Sequence, residues 1–105
     1  MEKAAVILIV DDMPEQLRAM ASVLKGHGYS IRSALSGIDA LRLMEREIPD
    51  LVLLDIQMED MDGYTVCRTL RSNSRYEDTA ILFITAAGDR EVCKKALKRE
   101  HRIIL

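Results

Sequence analysis

Residues 6–12 read Val-Ile-Leu-Ile-Val-Asp-Asp, five apolar residues followed directly by two carboxylates. A continuous apolar run rich in β-branched residues is typical of a strand that is buried on both faces, as in a parallel sheet. Two further runs have the same character: residues 51–54 end before Asp55, and residues 80–84 end before Thr85. We therefore predict buried strands with polar residues at their carboxyl ends.

Helical patterns alternate with these strands. Pro14 suits a first helical turn, and Ser36 is placed to cap a second helix. The segment from Ser30 to Leu35 is a shorter and more polar strand, which we expect nearer an edge. Apolar residues recur at helical spacing in four groups, namely Leu17, Met20, Ala21 and Leu24; Leu41, Met44 and Ile48; Gly63, Val66, Cys67 and Leu70; and Val92, Cys93, Ala96 and Leu97. Helical crossovers between strands predict an open, doubly wound α/β fold with a parallel sheet covered on both faces.

The bulk composition excludes several classes of protein. A chain of 105 residues is the size of one domain. Its net charge of −2, from 15 basic and 17 acidic residues, is too balanced for a nucleic-acid-binding surface. The apolar runs are too short to span a bilayer, and the N-terminus does not resemble a signal peptide. We expect a cytoplasmic protein with no nucleic-acid or membrane partner. Cys67 and Cys93 are expected to be buried thiols, because neither lies in a metal-binding or redox motif.

The candidate chemistry lies where the strands end. Ligands of open α/β sheets bind at the carboxyl ends of the strands, where Asp11, Asp12 and Asp55 would meet. Three carboxylates repel one another, so a proton or a cation must join them, and oxygen ligands with open positions favour Mg²⁺. A carboxylate such as Asp55 can also attack phosphorus, and the Thr85 hydroxyl can donate to a phosphoryl group. A single Asp before a helix is more often an N-cap, which is the alternative for Asp12.

Three segments together resemble the receiver domain of bacterial two-component response regulators, of the chemotaxis-regulator kind. They are VDD at residues 10–12, LVLLDIQMEDMDG at 51–63 and FITAA at 83–87, and their spacing also fits. The resemblance covers residues 6–97, approximately. It implies a flavodoxin-like sheet with strand order 2-1-3-4-5.

The same resemblance implies a metal site and a phosphoacceptor. Asp55 resembles the residue that accepts the phosphoryl group and also contacts the metal. Asp12 resembles a direct Mg²⁺ ligand, and Asp11 resembles its neighbour that acts through water. The backbone carbonyl of Gln57 resembles the third protein ligand.

A switch and a partner are implied as well. Thr85 resembles the hydroxyl that moves toward the phosphoryl group, with the amide of Ala86 beside it. The implied donor is a phosphohistidine on a sensor histidine kinase or a phosphotransfer protein. The chain is then a phosphorelay signalling module rather than an enzyme, with at most self-catalysed transfer to Asp55. Added charge shifts such a module between two conformations only by binding them differently.

The chain departs from the family pattern in two places. Glu59 stands where the family usually has Pro, which adds negative charge to the loop. After Leu97 the family continues with a fifth strand, a Lys-Pro pair and a fifth helix, whereas this chain reads KREHRIIL from Lys98 to Leu105. The lysine that contacts the phosphoryl group has no counterpart. We expect residues 1–105 to form a receiver domain that is incomplete at its C-terminus. Codons for this tail can encode Thr-Gly-Ala-Ser-Asp-Tyr-Leu in another frame, so a frameshift is one hypothesis for it.

The sequence is compatible with other functions. A degenerate receiver would act only as a protein-interaction or dimerisation module, and the missing lysine favours that alternative. Residues 103–105 would add a short fifth strand with no helix over it, so we expect a homodimer through this uncovered C-terminal side. A phosphatase with an aspartyl nucleophile is disfavoured, because Asp11 and Asp12 are adjacent rather than in a D-x-D motif. A nucleotide-binding module is disfavoured because no glycine-rich phosphate loop follows a strand.

Overall fold

The fold is described from a computed structural model, which covers residues 4–56, 58 and 61–84 and the backbone of residues 90–92. From residue 6 to residue 84, strands and helices alternate as the pattern predicts. Their bounds are β1 Val6–Val10, α1 Pro14–Gly26, β2 Ser30–Ala34, α2 Gly37–Arg46, β3 Leu51–Asp55, α3 Gly63–Arg71, a 3-10 turn Ser74–Tyr76, β4 Ala80–Ile84 and β5 Arg90–Val92.

The sheet has the strand order β2-β1-β3-β4-β5, and its first four strands are parallel. Val10 at the end of β1 is level with Ala34 on β2 and with Leu54 on β3. The register therefore brings the carboxyl ends of these strands to one rim of the sheet. The flavodoxin-like, doubly wound fold is confirmed.

The last described strand differs from the prediction. Arg90–Val92 pairs antiparallel with β4, so that Val92 is level with Leu82, although a helix was predicted here. The outer edge of β4 offers unpaired backbone groups, and a short segment can pair with such an edge whatever its helical periodicity. Residues 93–105, with the predicted fifth strand and the C-terminal dimer surface, lie outside the described residues.

Helices cover both faces of the sheet. On one face α1 lies over a cluster of buried side chains, which are Ile7, Ile9, Leu17, Leu53 and Leu82. On the other face α2 and α3 lie over a larger cluster, which includes Leu8, Val10, Met44, Val52, Leu54, Val66, Leu70, Ile81 and Phe83. Neighbouring strand residues such as Ile7 and Leu8 enter opposite clusters, because successive side chains of a strand point to opposite faces. Both faces are thus buried, which explains the continuous apolar runs.

The start of α2 agrees with the sequence, and its end does not. The Ser36 hydroxyl accepts a hydrogen bond from the Asp39 amide at 3.1 Å, which confirms the predicted cap. The helix ends at Arg46, so Ile48 is 45% exposed instead of lying on the inner face. Pro49 accounts for the early end, because a residue before proline is pushed toward extended backbone.

Cys67 is also different from the expectation. Its side chain is fully buried on α3, as predicted, but it is disulfide-bonded rather than a thiol. Sequence motifs report local spacing and cannot show which distant segments come within bonding distance. The other cysteine of the chain, Cys93, is outside the described residues.

Within the described ranges, each helix is too short or too polar to cross a bilayer.

Candidate metal centre

Three carboxylates meet at the carboxyl rim of the sheet. One oxygen from each of Asp11, Asp12 and Asp55 can be chosen so that all three lie within 4.8 Å of one another. Asp11 and Asp12 directly follow β1, and Asp55 is the last residue of the neighbouring strand β3. The structure thus brings together the three acidic residues that the sequence predicted to converge.

The junction between β1 and α1 holds Asp11 in a defined orientation. Its amide donates to the Ala34 carbonyl at 3.1 Å, which continues the pairing of β1 with β2 by one residue. Its carboxylate Oδ1 accepts from the Met13 amide at 2.9 Å, and the residue is only 3% exposed. The second oxygen remains for the shared pocket, since a carboxylate has two acceptor atoms.

Asp12 is not the cap of α1. The N-cap residue is Met13, which has an extended backbone and no side-chain capping hydrogen bond, and Pro14 begins the helix. Pro14 lacks an N–H group, so the start of α1 has one unsatisfied amide fewer. The alternative that Asp12 serves only as a helix cap is therefore wrong.

A tight contact behind Asp55 joins β3 to α3. The Gly63 amide donates to the Ile56 carbonyl at 2.9 Å, which closes the loop between the two elements. A Cβ atom on Gly63 would lie 2.7 Å from the Asp55 carbonyl oxygen and 3.0 Å from the Ile56 Cα. Only glycine allows this approach. The sequence placed Gly63 merely on an apolar helix face, and its position after Asp62 in a D-G pair was the available signal for a close turn.

Asp62 is the N-cap of α3, so its role differs from that of the three clustered carboxylates. Its Oδ1 accepts from the Thr65 amide at 2.8 Å. Hydrogen bonds from Thr65 lower the pKa of Asp62 below its ordinary value of 3.8. The side chains of Ile56, Met58 and Met61, which precede this cap, pack against the larger core cluster.

The donor set suits a magnesium ion. All three groups are carboxylates, and hard cations such as Mg²⁺ prefer oxygen ligands. Opposite ligands of one octahedral Mg²⁺ lie about 4.2 Å apart, twice its ligand distance of about 2.1 Å. The 4.8 Å spread of the three oxygens is close to this value, so small side-chain rotations or one bridging water would complete the fit.

The other predicted site residues are Gln57, Thr85 and Ala86. All three lie outside the described residues, as does Glu59. The nearest described neighbour of Thr85 is Ile84, whose Cα is paired with that of Asp55 across β3 and β4.

Comparisons of the sequence with known proteins all indicate the same family. The model of the response regulator receiver domain matches residues 7–105. The response regulator PleD of Caulobacter vibrioides is 37% identical over 87 residues, which are 83% of this chain and 19% of PleD. A probable transcriptional regulator, ycf27, of Guillardia theta is 41% identical over 83 residues, which are 79% of this chain and 32% of the relative. The matched part therefore spans a fifth to a third of the length of these relatives.

Solved structures agree with this result. The N-terminal domain of a response regulator receiver protein from Methanoculleus marisnigri has a TM-score of 0.76 and 36% identity, covering 80% of this chain and 68% of that one. The chemotaxis response regulator CheY4 of Vibrio cholerae has a TM-score of 0.74 and 28% identity, covering 77% of this chain and 68% of that one.

Proposed function

The chain belongs to the response regulator receiver domain family, and on this premise we propose that Asp55 accepts a phosphoryl group beside a Mg²⁺ ion held by Asp11 and Asp12. The proposed donor is a phosphohistidine on a sensor histidine kinase or a phosphotransfer protein. The observation that carries the proposal is the convergence of three carboxylates from two neighbouring strands within 4.8 Å. Receiver domains are signalling modules of two-component systems rather than enzymes in their own right.

Asp55 supplies the nucleophile. A carboxylate oxygen of Asp55 forms the new bond to phosphorus while the bond from phosphorus to the donor's imidazole nitrogen breaks, and the imidazole leaves. Asp55 ends β3, and its carbonyl lies against Gly63, so its backbone is held from both sides. Such positioning matters because phosphoryl transfer depends chiefly on alignment and on neutralising charge.

Asp11 and Asp12 supply the charge that attracts a cation. Bound Mg²⁺ would neutralise negative charge on the phosphoryl oxygens and so allow them to approach three carboxylates. Asp11 is oriented by the Met13 amide, which limits the freedom of its carboxylate before any ion binds. In the proposed arrangement the Gln57 carbonyl completes the protein ligands, and the Thr85 hydroxyl and Ala86 amide donate to the phosphoryl group.

The test is a measurement of intact mass after incubation with acetyl phosphate and Mg²⁺. We expect the wild-type chain to gain one phosphoryl group, and we expect Asp55→Asn to gain none because the amide is a far weaker nucleophile. Asp39→Asn is the matched control, since Asp39 is an exposed aspartate on α2, and it should be modified as the wild type is.

Two outcomes would contradict the proposal. Wild-type protein that binds Mg²⁺ but stays unmodified would favour the alternative of a receiver that acts only as an interaction module. Equal modification of wild type and Asp55→Asn would place the phosphoryl group on another residue. Mg²⁺ affinity, measured in parallel by calorimetry, separates a lost metal site from a lost nucleophile.

A further inference from the structure

The open edge of β2 presents backbone groups that are not paired within the described part of the chain. The Ser30 amide donates to the Ala5 carbonyl at 2.9 Å, and the Ala34 carbonyl accepts from the Asp11 amide at 3.1 Å. Both residues therefore face β1. Because the direction of the backbone groups alternates along a strand, Ile31 and Ser33 of β2 direct their N–H and C=O groups outward. The Leu35 N–H, in the same peptide unit as the Ala34 carbonyl, also points away from β1.

A groove of about 720 Å³ lies between this edge and α2. It is lined by the end of β2 and by four charged residues of α2, in the order Asp39, Arg42, Glu45 and Arg46. We propose that the groove binds a second copy of this chain, with the two β2 strands paired antiparallel about Ser33 and the two α2 helices antiparallel beside them.

The residues of β2 suit this register. Antiparallel pairing about Ser33 sets Ser33 opposite its own copy and Ile31 opposite Leu35 of the second copy, twice by symmetry. Leu35 is 50% exposed, and Ile31 is half-buried. Apolar residues directly opposite one another stabilise an antiparallel pair. An edge of this kind is self-complementary, which an isologous interface requires.

The two-fold axis that relates the two β2 strands at Ser33 also fits the charges on α2. Ser33 lies three residues before Ser36, the N-cap of α2. At about 3.3 Å per extended residue, α2 therefore starts about 10 Å beyond Ser33 along the direction of β2, and it runs back in the opposite direction. At about 1.5 Å per helical residue, the level of Ser33 is reached near Leu43. Two antiparallel α2 helices centred there bring Asp39 of one copy near Arg46 of the other.

The second pair of charges follows from the same register. Centring near Leu43 also brings Arg42 of one copy near Glu45 of the other. Symmetry doubles both contacts, so the interface contains four ion pairs.

The charges of the groove favour a second copy over a uniformly acidic or basic partner. Two acidic and two basic side chains alternate, so a partner of one sign would meet like charges. Within the described residues, the side chains of Arg42 and Arg46 make neither a hydrogen bond nor an ion pair, whereas the Arg32 side chain is bound to Glu47 at 2.8 Å. The two arginines on α2 therefore have donors available for carboxylates of the second copy.

The Arg32 side chain occupies part of the β2 edge but leaves the edge able to pair. Its Nη1 donates to the outward Ile31 carbonyl at 3.2 Å and to the Ser30 hydroxyl at 3.0 Å. A carbonyl oxygen has two lone pairs, so the Ile31 carbonyl can still accept from the Leu35 amide of the second copy. Among the described contacts, no side chain hydrogen-bonds to the Ser33 amide or carbonyl.

Substitution of Ser33 tests the strand pairing. Sedimentation equilibrium of the 105-residue chain from micromolar to millimolar concentration should show a reversible dimer. Ser33→Pro removes an amide that faces away from β1, so the fold should persist while the dimer weakens roughly tenfold or more. Ser33→Ala keeps the amide and should dimerise as the wild type does. Circular dichroism of each variant checks that the fold is retained.

Charge reversal tests the helix contact independently. Asp39→Arg and Arg46→Asp should each weaken the dimer roughly tenfold or more by placing like charges together, and the double variant should restore it. Glu15→Arg makes the same change of charge in the first turn of α1 and should have no effect on the dimer. A chain that stays monomeric throughout, or a dimer insensitive to both Ser33→Pro and the charge reversals, would overturn the proposal.

Discussion

The two ends of the parallel sheet differ in the partners of their polar side chains: carboxylates cluster together at one end, and side chains bond to the backbone at the other. At the carboxyl end, oxygens of Asp11, Asp12 and Asp55 lie within 4.8 Å of one another. At the amino end, polar side chains meet backbone partners. Asp50 Oδ2, for example, accepts from the Val6 amide at 2.7 Å and so joins the starts of β1 and β3.

The amino end also contains a buried hydrogen-bonded cluster. Arg71 is only 8% exposed, and its guanidinium donates to the carbonyls of Tyr76, at 2.8 Å, and Thr79. The Tyr76 hydroxyl donates to the Met44 carbonyl at 3.1 Å, which satisfies one of the last carbonyls of α2. The Thr79 hydroxyl donates to the Pro49 carbonyl at 3.0 Å. Burial lowers the pKa of Arg71 below its ordinary value.

We infer from this contrast that the amino end of the sheet contributes mainly to stability and the carboxyl end mainly to function. Hydrogen bonds at the amino end tie the connections before β3 and β4 to the helices, so losing one leaves a buried carbonyl without a donor. Like charges at the carboxyl end repel one another, which costs stability, and a bound cation would offset that cost. Changes at the amino end should therefore lower stability and spare the chemistry, and changes at the carboxyl end should do the reverse.

The largest effect on stability is expected from Arg71→Met. The substitution leaves the carbonyls of Tyr76 and Thr79 without a charged donor, so the free energy of unfolding should fall by about 2–4 kcal/mol. Urea unfolding measures the loss. Arg18→Met, an exposed change on α1, should stay within about 0.5 kcal/mol of wild type. If folded Arg71→Met protein no longer accepted phosphate from acetyl phosphate, the two ends would not be separable.

Asp12→Asn examines the opposite end. Without Mg²⁺ this variant should be at least as stable as the wild type, because one of three repelling charges is gone. At a Mg²⁺ concentration of 100 times its Kd the wild type should gain about 2.7 kcal/mol, and the variant should lose most of that gain. Thermal melts with Mg²⁺ and with EDTA provide the comparison, with Glu77→Gln, an exposed change outside the proposed dimer interface, as the control. A variant destabilised without Mg²⁺ would show that Asp12 is structural.

Thr79→Val should have a smaller effect at the amino end. It removes one neutral hydrogen bond to the Pro49 carbonyl, so we expect a loss of about 1–2 kcal/mol in urea unfolding. Thr69→Val is the control, because the Thr69 hydroxyl bonds to the Thr65 carbonyl at an exposed position. Losses of equal size at the two positions would mean that burial at the amino end contributes nothing extra.

The smallest effect concerns the pH dependence of the Asp62 cap. The amide of Thr65 lowers the pKa of this carboxyl in the folded state, so the cap stabilises the protein above the ordinary value of 3.8. That contribution is lost as the pH falls through the lower, folded-state pKa. Asp62→Ala should therefore be less stable than wild type at neutral pH and equally stable at strongly acidic pH. The cost of Ser36→Ala, an uncharged cap on α2, should not change with pH.

Local patterns predicted most of the secondary structure. Continuous apolar runs identified β1, β3 and β4, and the helical spacing and caps identified α1, α2 and α3. Where the prediction was wrong, a long-range partner was the cause in two cases: Val92 pairs with an open strand edge, and Cys67 forms a disulfide. Ile48 was misplaced because periodicity does not show where a helix ends.

The sequence by itself determined that acidic residues follow buried parallel strands, and the parallel arrangement then requires those residues to share one rim. Only the tertiary structure decided how closely Asp11, Asp12 and Asp55 approach, that Gly63 packs against the Asp55 carbonyl, and that Arg71 is buried at the amino end of the sheet. The reason is physical. Periodicity and caps act between residues a few positions apart, whereas these distances are set by the packing of segments far apart in the chain.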